Sequence, residues 1–213
     1  MIDYRVYLVT DDPSRYAGNW LDNVRAAVEG GVTCVQYRDT ENAPQAQYER
    51  IRALRDAIPG VPLVVNNDAA LAKATGAEGV HVGQNDLPPD AVRRLVGPAC
   101  EIGWSITDAS QVGRLRELVR DGSVDCIGVG PVFDARKTKA DAAEALGPDG
   151  LRAIVSLVPD VPNCAIGGIT LANAPDVIAA GAKGLAVVSA FSKAEDSHEV
   201  AKAFRMLFDR CGK

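Results

Sequence analysis

The sequence predicts an α/β protein folded as a single (β/α)8 TIM barrel, and three observations carry that prediction. Eight short runs rich in Val, Ile, Leu and Cys recur along the chain. Each is followed by a longer stretch of helical periodicity, the alternation that builds a parallel sheet. The length of 213 residues suits a compact barrel with few insertions, since about 250 residues is typical and roughly 200 is the lower end.

The strand runs, in order, are RVYLVT (5–10), TCVQYR (33–38), PLVVN (62–66), GVHVG (79–83), CEIGW (100–104), DCIGVG (125–130), NCAIGG (163–168) and GLAVVS (184–189). The intervening stretches carry helix boundary signals. Asp108 can N-cap ASQVGRLRELVR, and Gly30-Gly31, Gly76 and Gly181 fall where left-handed C-terminal residues are expected. Three helix ends repeat one phrase, AAVEGGVTCV, AKATGAEGVHV and IAAGAKGLAVV, each reading helix, glycine turn, strand. An open dinucleotide-binding sheet would show GxGxxG after its first strand. Here LVT runs into DDPSRY instead.

Composition narrows the function. With 47% hydrophobic and 24% charged residues, the chain can bury a sizeable core as one domain spanning 1–213. A formal net charge of -5 without a long basic run disfavours a nucleic-acid surface. The N-terminal MIDYRVYLVT enters a strand directly, and no apolar run reaches about 18 residues, so a cytoplasmic protein without membrane partners is expected. Among Cys34, Cys100, Cys126, Cys164 and Cys211 there is no CxxC pair, and four lie in strand runs, where a thiol behaves as a small hydrophobe. Small molecules are the expected partners, and a homo-oligomer is compatible with this composition.

In this fold the active site lies at the C-terminal ends of the strands. The residues there form a polar set: Thr10; Gln36, Arg38 and Asp39; Asn66, Asn67 and Asp68; Gln84, Asn85 and Asp86; Ser105 and Thr107; the 134–141 loop; Gly167 and Gly168; and Ser189. The strongest signal is AIGGIT after the seventh run, paired with VVSAF at the eighth. Glycine lets backbone approach a ligand, free N–H groups at a helix start attract anions, and these two loops often hold phosphate. The oxygens of VNND (65–68) and GQND (83–86) suit Mg2+, which keeps waters and bridges to phosphates, and equally suit a metal-free hydrogen-bonding rim. Arg38, Arg136, Lys137 and Lys139 supply cations for a leaving pyrophosphate. His81, between Val80 and Val82, reads as structural and is assigned no chemistry.

These segments resemble the thiamine phosphate synthase family over nearly the whole chain. The resemblance runs through VQYRD (35–39), VNND, GVHVGQNDLP (79–88), IGWS (102–105), GVGPVF (128–133), Thr138-Lys139, AIGGITLANAPDVIAAGAKG (165–184) and VVSAFSKAED (187–196). It implies a Mg2+-dependent transferase that joins a hydroxymethylpyrimidine pyrophosphate to a thiazole phosphate, or its carboxylate, with release of pyrophosphate. It implies that Gln36 and Ser105 hold the aminopyrimidine. It implies too that Arg38, Asn66 and Lys139 would bind its pyrophosphate and that Asp86 would bind Mg2+. By the same resemblance Gly168, Val188 and Ser189 hold the thiazole phosphate, with Thr138 closing over it. Arg38, Ser105 and Lys139 would carry the chemistry.

Three positions depart from the family pattern. Thr40 stands where the family has a lysine, and Arg136 or Lys137 could replace that cation. Asn67 stands at the family's first metal-binding aspartate, so weaker Mg2+ binding is expected; Asp68 could take over if the chain turns there. Arg136 replaces the first threonine of the lid motif. A thiazole tautomerase would need a histidine at Thr107, and a non-catalytic phosphate-binding homologue would tolerate both Thr40 and Asn67.

Overall fold

The computed structural model describes residues 1–136 and 143–211. Eight parallel strands close into a barrel in sequence order. They are β1 (Val6–Val9), β2 (Cys34–Tyr37), β3 (Leu63–Asn66), β4 (Gly79–Val82), β5 (Glu101–Ile106), β6 (Cys126–Val129), β7 (Asn163–Ile166) and β8 (Leu185–Val187). The last strand pairs with the first, Tyr7 opposite Ala186, so the sheet has no open edge.

Between the strands run α1 (Trp20–Glu29), α2 (Pro44–Ala57), α3 (Ala69–Thr75), α4 (Pro89–Val96), α5 (Val112–Arg120), α6 (Gly147–Ser156) and α7 (Ala174–Ala179). After β8 come a short α8 (Ser189–Ser192) and a long α9 (Ser197–Cys211) that packs on α1. Helix starts follow local chemistry. Asn19 accepts from the Leu21 N–H, and Asp68 accepts from the Leu71 N–H at 2.8 Å. Asp108 caps a 3-10 turn, Ala109–Gln111, that leads into α5. Gly76 ends α3 at φ 64, as the sequence predicts. Gly30 is right-handed instead, and the neighbouring Gly31 takes the positive φ of 116.

Strand alternation sorts the core into two layers. Val6, Leu8, Val35, Leu63, Val65, Val80, Val82, Ile102 and Ile127 belong to one cluster with the helix faces. The opposite face of each strand fills the lumen with a second cluster that includes Tyr4, Tyr7, Val9, Cys34, Val64, Cys126, Cys164 and Ala186. Most of these lumen residues are small, which leaves room for the two tyrosine rings. Cys34, Cys100, Cys126 and Cys164 are buried free thiols, matching their reading as small hydrophobes.

The strand forecasts are correct in number and order, with shifted ends. The fifth strand runs on to Ile106, and the eighth stops at Val187 because Ser189 already opens α8. Among the described residues no helix is long and apolar enough to cross a membrane.

Candidate active site

The lumen positions nearest the C-terminal mouth carry the polar groups. Gln36 and Asn66 are the inward residues at the ends of β2 and β3. His81 on β4 and Ser105 on β5 face the same space, and His81 Nε2 lies 3.0 Å from Ser105 Oγ. A Cβ on Gly103 would fall 2.3 Å from His81 Nδ1, and one on Gly128 would fall 2.8 Å from its Cε1. Two glycines on β5 and β6 therefore make the slot that receives the imidazole. Gln84 reaches across to donate to the Ser105 carbonyl at 2.5 Å, tying the two loops together.

Gln36 is 4% exposed, and its Nε2 donates to the Tyr7 hydroxyl at 2.6 Å. Arg38 follows just past β2, where its backbone N–H donates to Thr10 Oγ1 at 2.9 Å. No hydrogen bond or ion pair engages its guanidinium among the described residues, so its charge is available to an anion. Asp39 next to it serves the structure. Burial alone would raise its carboxyl, but donation from the Glu41 and Asn42 N–H groups, Tyr37 and the Asn42 side chain brings its pKa down to about 2. Arg50 adds an ion pair at 3.0 Å. Thr40 is exposed on this loop.

On the next two loops Asn67 is left-handed at φ 64, a conformation asparagine tolerates better than most residues. Its N–H donates to the His81 carbonyl at 2.8 Å. That turn does occur, as a role for Asp68 would need, but one oxygen of Asp68 is committed to capping α3. Asp86 accepts the Gly83 N–H at 2.6 Å through Oδ2, which holds its carboxylate at the mouth. Thr107 is bound up in the α5 cap, its hydroxyl accepting from Gln111 at 3.2 Å.

The glycine turn stands apart chemically. Gly167 and Gly168 have φ of 101 and 63. A Cβ on Gly167 would lie 2.6 Å from Pro131 Cβ, and one on Gly168 would lie 2.7 Å from Phe133 Cβ. Only glycine allows this approach. Ile166 pairs with Ala186, so the Gly167-Gly168 turn and the start of α8 leave neighbouring strands of the barrel. In the short α8 the Phe191 and Ser192 N–H groups donate to the Val188 carbonyl at 3.0 and 3.1 Å, and the two N–H groups before them, of Ser189 and Ala190, open the helix. A small anion placed here meets backbone donors rather than cations.

Arg136 folds back onto Asp134, with contacts of 2.9 and 3.2 Å at the exposed surface. To reach a ligand it must leave that pair. Thr138 and Lys139 lie outside the described residues, as does Lys137. His81, which the sequence reads as structural, lies in this lumen beside Ser105. Its signal was there: glycine at the register partner Gly103, and again at Gly128 opposite Ser105.

Together the fold and the mouth define a class: a (β/α)8-barrel protein with a polar lumen on one side of its mouth and a tightly packed glycine turn on the other. Residues 6–191 match the family described as thiamine monophosphate synthase, and the chain belongs to that family. It is 44% identical over 207 residues to a thiamine-phosphate synthase of Albidiferax ferrireducens, covering 96% of this chain and 92% of that one. Its identity to the thiamine-phosphate synthase of Chloroflexus aurantiacus is also 44%, over 97% of this chain and 94% of the relative. A thiamine phosphate pyrophosphorylase structure from Pyrococcus furiosus superposes with a TM-score of 0.84 at 29% identity, covering 98% and 97% of the two chains.

Proposed function

We propose that this barrel is a thiamine phosphate synthase. It joins a hydroxymethylpyrimidine pyrophosphate to a thiazole phosphate, or its carboxylate, and releases pyrophosphate. The observation that carries this reading is the pairing, across one mouth, of a hydrogen-bonding lumen (Gln36, His81, Ser105) with the Gly168 and Ser189 cradle. A flat heteroaromatic ring fits the first and a phosphate monoester fits the second.

The reaction is a displacement at the pyrimidine methylene by the thiazole nitrogen. Positive charge that develops on the methylene is delocalised by the aminopyrimidine ring, so the protein needs no nucleophile of its own. Its tasks are orientation, anion stabilisation and exclusion of water. In this reading Gln36 and Ser105 orient the pyrimidine, and His81 fixes the Ser105 hydroxyl. Arg38, with Asn66 and Lys139, takes up the charge of the departing pyrophosphate. Gly168, Val188 and Ser189 hold the thiazole phosphate, and the family resemblance gives Thr138 the part of closing over it.

The donors for a cation are hard oxygens, the Asp86 carboxylate and the Asn67 amide, and these fit Mg2+. Asp86 and Asn67 would hold it, and it would supply positive charge to offset that of the pyrophosphate. Among the described residues no group of three or more His, Cys, Asp or Glu side chains is placed to hold a metal ion. The partners are these small molecules, with the whole chain acting as one barrel domain in the cytoplasm.

Purified protein incubated with both substrates and Mg2+ should form thiamine phosphate and pyrophosphate in equal amounts. Absence of product, with measurable thiazole phosphate binding, would reject the synthase in favour of a binding protein.

A further inference from the structure

We propose that Asn173 is a positioning residue for the thiazole phosphate: its side chain holds the peptide that leaves Gly168 and so fixes the backbone donors of the glycine turn. The inference rests on the synthase reading of the site. Asn173 stands at the N-cap of α7, yet its side chain does not cap that helix. Pro175, the second helical residue, lacks one of the two N–H groups that such a side chain would take. The amide folds back instead. Its Oδ1 accepts the Thr170 N–H at 2.8 Å, and its Nδ2 donates to the Gly168 carbonyl at 3.0 Å. A backbone N–H only donates and a backbone carbonyl only accepts, so these two contacts admit one orientation of the amide.

The two carbonyls before that of Gly168 are held as well. Ile166 accepts from the Val132 N–H at 2.8 Å, and Gly167 accepts from the Phe133 N–H at 3.0 Å. A trans peptide carries its N–H opposite its carbonyl. The Phe133 contact therefore aims the Gly168 N–H away from the 132–133 segment, and the Asn173 contact sets the direction of the Ile169 N–H. Among the described residues neither N–H has an acceptor, which leaves two backbone donors for an anion. Glycine has the freest backbone of any residue, so the shape of this turn depends on the three carbonyl contacts. Two of them come from the main chain after β6. The third is the one that a single side chain supplies.

Asn173→Ser is the test, because serine is a good N-cap residue but cannot make both contacts of the amide. The KM and the calorimetric Kd for thiazole phosphate should rise about three- to tenfold, the scale of one hydrogen bond, while the KM for the pyrimidine pyrophosphate stays unchanged. Asn163→Ala is the comparison, since Asn163 Oδ1 accepts the Lys183 N–H at 3.0 Å at the opposite end of β7. It should lower the thermal midpoint and leave the thiazole phosphate KM alone. On a Gly168→Ala background, Asn173→Ser should add little, because the turn is already displaced. An unchanged Kd in Asn173→Ser, an equal rise in both KM values, or an effect that persists in full on Gly168→Ala overturns the proposal. Binding of thiazole phosphate without turnover by the wild-type protein overturns the synthase reading instead, and the two Kd values still decide the part of Asn173. No binding overturns both. If Asn173→Ser folds poorly, the wild type serves: its Gly168 and Ile169 amide resonances should shift on addition of thiazole phosphate, and unmoved resonances overturn the proposal.

Discussion

His81 Nε2 stands 3.0 Å from Ser105 Oγ, and the ring that makes this contact occupies space vacated by the side chains of Gly103 and Gly128. Gly103→Ala should evict the imidazole, since the new methyl would lie 2.3 Å from Nδ1. A loss of about 1–3 kcal/mol in urea unfolding is expected, as for other overpacked cores. The KM for the pyrimidine pyrophosphate should rise while that for thiazole phosphate stays put. A destabilised protein with both KM values intact would separate His81 from substrate binding.

The two neighbouring oxygen donors, the Asn67 amide and the Asp68 carboxylate, can be told apart. Asp68→Ala should cost about 0.5–2 kcal/mol of stability through its lost helix cap, with no change in the Mg2+ concentration needed for half-maximal rate. Asn67→Asp should lower that concentration, because a carboxylate replaces an amide at a φ of 64 that aspartate also tolerates. A Mg2+ titration of both variants decides. A several-fold higher requirement in Asp68→Ala would make Asp68 a ligand.

At the glycine turn, Gly168→Ala should raise the KM for thiazole phosphate tenfold or more, on the order of one or two lost backbone contacts. The added carbon would meet Phe133 Cβ at 2.7 Å, and φ of 63 is unfavourable for alanine. Gly181→Ala is the comparison, equally strained at φ 105 but set at the end of α7. It should unfold more readily with its KM values unaltered. Equal KM effects in the two variants would remove the cradle.

Asp39 supplies a pH signature. Its pKa falls from 3.8 to about 2 on folding, so its contribution is complete above the unfolded value and is lost as pH drops through the folded one. Asp39→Asn should cost about 1–2 kcal/mol at pH 7, allowing for solvent screening. The gap to wild type should close between pH 4 and pH 2 in thermal unfolding. A constant gap over that range would exclude the carboxylate's charge as the cause.

Most of the barrel was legible because both faces of a parallel strand are buried and leave continuous apolar runs. The strand limits were less so: Val188 and Ser189 extend an apolar phrase, yet hydrogen bonding to β1 ends with Val187 and a helix begins. The glycine turn could be forecast, since Gly167-Gly168 follows a strand, and both residues take positive φ. His81 could not be placed from its own strand, where alternation says only that it faces away from Val80 and Val82. Its partner lies 24 residues on, and the room for it is made on two other strands. Arg136 reads as an unattached cation until Asp134 turns back to meet it. Such pairings depend on loop geometry, which periodicity does not encode.

The segment after β6 has a further consequence. Val132 and Phe133 donate to the carbonyls of Ile166 and Gly167, at 2.8 and 3.0 Å. On the return path, Leu146 and Gly147 donate to the carbonyls of Pro131 and Val132, both at 2.9 Å. The chain leaves for residues 134–145 and comes back at one soldered joint. A change of length or composition between those feet leaves the donors and acceptors of these four backbone hydrogen bonds in place. An inserted residue or an altered lid motif is thereby a change of attachment, and segments from other barrels of this family could be exchanged at that joint as cassettes.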